Sequence, residues 1–175
     1  MKQHAGRISV DKLARAIAKV HAMSMEQKVE LVSEIKQEQP NMLASCLVQQ
    51  RFGASMESLD VLLNILLVCF QAMRESEHTW PLITEDEQER QLSRLVGSVL
   101  FSESLTDPTL ADAARSDYVA NHPEAPLFAF VVNEMRQWLL QQARYGAETE
   151  SDKYFMMAAV NFVNCIAHAP CTERA

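Results

Sequence analysis

Glycine is scarce in this chain, with four in 175 residues beside six prolines. Four scattered glycines cannot build a phosphate-cradling loop, so the common nucleotide-binding motifs are excluded. There is no Gly-x-Ser-x-Gly elbow and no recognisable cysteine-nucleophile signature, which weighs against the familiar hydrolases and thiol enzymes. No apolar leader opens the chain, because Met1 to Arg7 runs into an amphipathic stretch. The longest apolar run, Val61 to Phe70, contains Asn64 and is about half of the ~20 residues a membrane span needs, so no membrane partner is expected. The four cysteines are Cys46, Cys69, Cys165 and Cys171. Three sit in or beside apolar helical segments, as reduced core thiols do, and the expected compartment is the cytoplasm.

What is present is helix. Ala, Leu, Met, Glu and Gln are abundant and strand formers are not. The expected architecture is an all-α, single-domain bundle of about eight helices over residues 1–175, with 170–175 as a frayed tail. Start and stop signals divide the chain. Ser9 can cap the first helix. Ser24 with Gln27 forms a capping box for the second, and Pro40 ends it. A third helix is predicted over about Met42 to Phe52, and a fourth over Glu57 to Arg74, apolar on nearly every side and therefore central. Thr84 with Glu87 caps a fifth, and Asp107-Pro108 opens a short sixth ending near Ala120. A seventh is predicted over Leu127 to Tyr145 and an eighth over Glu150 to His168.

Two stretches resemble each other. Leu47-Val48-Gln49-Gln50-Arg51-Phe52-Gly53-Ala54 recurs, with one inserted residue, as Leu139-Leu140-Gln141-Gln142-Ala143-Arg144-Tyr145-Gly146-Ala147, and an apolar run follows each. Gly53 and Gly146 stand where a helix end favours positive φ, and Arg51 and Arg144 where a cation meets the negative end of the helix dipole. The candidate interpretation is an internal duplication relating 41–73 to 133–166 about a pseudo-twofold axis. Convergent helix–glycine–helix turns are the alternative.

Formal charge is −7. Residues 1–22 nevertheless carry Lys2, Arg7, Lys12, Arg15 and Lys19 against Asp11, a surplus of +4 that leaves −11 on the rest. The acidic body disfavours nucleic acid. Lys12, Arg15 and Lys19 share one face of the first helix; that face is either solvated or an arm for an acidic protein partner. Trp80 lies in the connection between helices four and five, where an aromatic either closes the domain's core or anchors an interface.

The single metal-like spacing is Cys165-x-x-His168-x-x-Cys171, which would need Cys46 or Cys69 as a fourth ligand. Structural zinc sites draw ligand pairs from two separated clusters, so a core thiol is the better reading of Cys165, and no cofactor is expected. Glu75 and His78 have the Glu-x-x-His spacing of di-metal bundles without the second pair those sites require. The functional expectation is a non-enzymatic interaction or regulatory protein, acting through a protein partner or self-association. The alternative is a small-molecule- or metal-binding protein, or an enzyme, with a pocket between the similar helix pairs, lined by Met, Phe and Trp.

Overall fold

The computed structural model describes residues 7–143 and 149–173. Eight α-helices follow in order within them: α1 Val10–Ala22, α2 Met25–Glu38, α3 Pro40–Leu47, α4 Met56–Glu75, α5 Glu85–Ser104, α6 Pro108–Ala120, α7 Ala125–Gln141 and α8 Glu150–His168. A 3-10 turn, Val48–Phe52, continues α3, and two short strands, β1 His78–Thr79 and β2 Thr172–Glu173, pair antiparallel. The protein is an all-α bundle, as its composition implies.

Most boundaries follow from caps. Ser9 accepts from the Lys12 N–H, the Ser24–Gln27 box is closed in both directions, and Thr84 accepts from the Glu87 N–H. Asp107 caps α6 with Pro108 in its first turn. Pro40 opens α3 while the preceding Gln39 closes α2, so two helices meet at a corner with no loop between them. The buried Gln39 side chain then donates to Pro81 O at 2.8 Å and accepts from the Ile83 N–H at 2.9 Å. That pair of bonds fixes the connection between α4 and α5 against the α2–α3 corner.

Three boundaries differ from expectation. The third helix tightens into the 3-10 turn after Leu47, and Gly53 ends it at φ 87°. α7 stops at Gln141 and Ala143 takes φ 55°, short of the predicted end at Tyr145. The tail, expected to fray, has Thr172 opposite Thr79 and Glu173 opposite His78. The turn of the second similar stretch, residues 144–148, lies outside the described residues.

The core centres on α4 and α8, which pack on each other. α4 buries Leu62, Ile65, Leu66, Val68, Phe70 and Met73, and α8 buries Phe155, Phe162, Val163 and Ile166. Each such side chain contributes about 1.5–3 kcal/mol relative to exposure. Taken as a whole 20-residue helix, α4 has the length and composition of a membrane span, but 61% of its most apolar window is buried inside the fold. α1 lies along α4, α7 covers α4 and α8, and α5 packs on α8 with α6 standing outside it. α6 buries only Ala111.

Candidate functional site

The basic face of α1 turns toward the acidic end of α4. Lys12 pairs with Glu77 at 3.7 Å, and Arg15 with Glu75 at 3.6 Å, while Lys19 donates to the same Glu75 carboxylate. The Lys19 hydrogen bond, helped by Gln71, holds Glu75 below the usual carboxylate range against the opposing effect of burial. The three cations thus have partners within the chain.

Trp80 is half-buried against the core. Its indole N–H reaches Met73 O at 2.9 Å and Ser76 Oγ at 2.8 Å, and the Arg7 guanidinium lies 5.1 Å from the ring centroid. Arg7 is the centre of a larger clasp. Its guanidinium donates to the carbonyls of Ile166, Ala167 and Ala169 at the end of α8 and to Cys171 Sγ. Its backbone and side chain also meet Glu124, which is only 1% exposed and takes a further bond from the Ile8 N–H. A cation here satisfies both the free carbonyls and the dipole of the α8 C-terminus.

Cys165, His168 and Cys171 are not gathered into a ligand set. Cys165 is buried, with burial pushing its thiol up to about 12, His168 is exposed, and Cys171 receives Arg7. Among the described residues no group of three or more His, Cys, Asp or Glu could hold a metal ion. Cys46 and Cys69 are likewise raised to about 12 by burial, which makes them poor nucleophiles and ligands.

What the fold assembles instead is a cavity of about 350 Å3 between the α3/3-10 segment, α5 and α8. Three amides stand in its wall: Gln49 from the 3-10 turn, Gln88 from α5 and Asn161 from α8, each only 7% exposed. The Gln49 amide nitrogen donates to Ser45 O at 3.2 Å and that of Asn161 to Gln88 O at 3.0 Å. Because a carbonyl accepts only from the nitrogen, both amides are fixed in orientation, and Gln49 Oε1 and Asn161 Oδ1 are left buried without a partner. Gln88 meets the Ser45 hydroxyl, whose single proton serves either Asn41 O or this amide. Gln88 can therefore present either end, and its own free atom is also buried and unpartnered.

The remaining wall is apolar, including Val48, Leu92, Met157 and Phe162, and no tryptophan belongs to it. Phe52 and Tyr154, both exposed, meet with ring centroids 5.2 Å apart, and Glu85 and Glu89 add carboxylates to the lining. The cavity lies between the first similar stretch and α8 of the second, with α5 as its third wall. Sequence reasoning passed over Gln49, Gln88 and Asn161. The legible signal was Asn161 and Asn164, two amides three residues apart in an apolar run.

A second, polar pocket of about 300 Å3 opens one turn further along α5 and α8, where Gln91, Arg94, His122, Asn164 and His168 meet. His122 Nδ1 accepts from the Glu124 N–H at 3.1 Å, so its proton sits on Nε2 and is donated to Asn164 Oδ1 at 3.0 Å. Tyr118 donates to the same oxygen at 3.1 Å, and Phe128 stacks on the imidazole at 4.7 Å. Burial holds His122 below the usual histidine range, more than its hydrogen bonds raise it. Compared with protein-family models, curated proteins and solved structures, this chain matches none.

Proposed function

We propose that this protein binds a small molecule in the amide-walled cavity between α3, α5 and α8. The observation that carries the reading is that Gln49 and Asn161, two residues lining one cavity of about 350 Å3, each hold a fixed, buried and unpartnered oxygen, Gln49 Oε1 and Asn161 Oδ1. A buried acceptor without a donor costs about 1–3 kcal/mol, a cost a ligand N–H removes on binding. The ligand class follows from the lining. Two fixed acceptors, a reversible amide, exposed aromatic rings and the Glu85 and Glu89 carboxylates suit an uncharged or cationic compound with N–H donors and an apolar flank, and repel an anion.

Native mass spectrometry of the protein purified gently from its own host, beside the Asn161→Leu variant, tests the reading. The expected result is an adduct on the wild-type chain that the variant lacks. Identical spectra, together with no melting-temperature difference between the two in a panel of small amines and amides, would sink it.

An interaction role has separate support. Leu100, Phe101 and Leu110 are 59%, 61% and 56% exposed on the outer part of α5 and α6. This apolar surface suits self-association or a protein partner. Sedimentation of wild type and Phe101→Glu checks it, with loss of an oligomer in the variant as the expected outcome.

A further inference from the structure

We infer that the trough between α5, α6 and α8 is a second ligand site, for an amphipathic monoanion whose aliphatic tail lies along the trough and whose carboxylate lies at the Arg94–His168 end. The trough has a volume of about 990 Å3 and shares Arg94, Leu95, Ser98 and Tyr118 with the polar pocket at its end, so the two form one continuous depression. Val99, Phe128, Met156 and Val160 make its long wall apolar. It arises because α6 stands off the bundle, burying Ala111 alone, and leaves the flank of α5 and α8 without a close neighbour.

Charge is distributed so as to favour a ligand with one head. At the polar end the Arg94 guanidinium forms no hydrogen bond or ion pair among the described residues, and its charge acts on His168, whose pKa is lowered first by partial burial and then by Arg94. The carboxylate whose charge opposes this effect on His168 is Glu87, and it is already engaged by Arg90 at 2.5 Å and Gln91 at 2.6 Å. Along the trough Arg115 is paired with Asp112 at 2.8 Å, and Asp117 is exposed at the wall. The surplus positive charge is therefore confined to one end, beside the Asn121 and Pro123 connection that closes it. An extended acidic segment would meet Asp117 along its length, whereas a single carboxylate at the end does not. The trough itself, at about 990 Å3, lies at the upper end of the 300–1,000 Å3 of ordinary small-molecule sites.

The site is distinct from the amide-walled cavity and stands without it. Titration calorimetry of the full chain with dodecanoate, below its micelle concentration, is the test, with dodecanol and dodecylammonium as matched tails. Dodecanoate is expected to bind at 1:1, at least tenfold more tightly than either. Arg94→Gln, a change at an exposed side chain, is expected to remove that tenfold preference while dodecanol binding persists. Val160→Trp, which fills the trough, is expected to remove binding of all three. Glu89→Ala, in the other cavity, is expected to change nothing. Equal binding of dodecanol and dodecanoate, an unchanged Arg94→Gln titration, or no binding to the wild-type protein would each overturn the inference.

Discussion

The two cavities stand one helical turn apart on the same α5–α8 seam, and each is entered by one glutamine from α5 and one asparagine from α8. At the first, Gln88 and Asn161 leave buried amide atoms without partners. At the second, Asn164 Oδ1 takes protons from both Tyr118 and His122, and Gln91 donates to Glu87. The residue types are the same and the chemistry differs. What separates them is the neighbour: α3 offers the first pair only the Ser45 hydroxyl, whereas Tyr118 of α6 and His122 of the following connection bring hydrogen-bond donors to Asn164 of the second. A polar side chain in an apolar seam therefore marks a binding site only where the fold withholds its partner.

The largest expected effect lies on the side of the second cavity. Arg7→Met strips Glu124 of its charged partner and the α8 carbonyls of their donor, and denaturant unfolding should show a loss of about 3–5 kcal/mol. An effect below about 1 kcal/mol would mean that the clasp does not hold that end of the seam. The two asparagines give the sharpest contrast. Asn164→Leu abandons two donors, one of them on buried His122, and should cost about 2 kcal/mol in the same measurement. Asn161→Leu removes an acceptor that has no partner together with one donor bond to Gln88 O, two effects of opposite sign, so the ligand-free protein should change by no more than about 1 kcal/mol in either direction. Equal losses for the two would erase the distinction drawn between the cavities.

Acid provides a third separation. His122 has its folded pKa depressed, so the unfolded chain binds the proton more readily and the neutral form's contribution is present above the unfolded value of about 6.5. That contribution is lost as pH falls through the lower folded value, and His168, depressed in the same direction, adds to it. The melting temperature should decline below about pH 6.5, and the decline should be shallower in His122→Gln. The smallest effect belongs to the α1 face: Lys19→Ala removes an exposed cation whose partner Glu75 keeps Arg15 and Gln71, and should cost less than about 0.5 kcal/mol.

Much of the helix order could be read in advance, because capping is a local interaction. Ser24 with Gln27, Thr84, Asp107 with Pro108, and Gly53 each act within a few residues, and each stands where its chemistry suggested. The 3-10 tightening after Leu47 and the stop near Ala143 carry no comparable local mark. The β2 pairing depends on β1 lying alongside, almost a hundred positions earlier, which no short-range pattern reveals. The candidate site was less legible still. Lys12, Arg15 and Lys19 looked available because their partners, Glu75 at the end of α4 and Glu77 just after it, lie far along the chain. Gln49, Gln88 and Asn161 looked like ordinary surface or core amides, since an unpartnered oxygen can be recognised only after the partners of every neighbour are known.

The Arg7 clasp also orders events in time. Its acceptors at and just beyond the end of α8 lie 159 to 164 positions later in the chain, and Glu124 lies 117 later. At ribosomal rates of about 5–20 residues per second, the first segment waits roughly 8–30 s before those carbonyls have been synthesised. Until then α1 can settle on α4 and Glu124 can take Arg7 and Ile8, but the Arg7 guanidinium lacks its α8 carbonyls. The last turn of α8 closes the structure on a segment synthesised long before it, so a product truncated there leaves the Arg7 segment without its α8 acceptors.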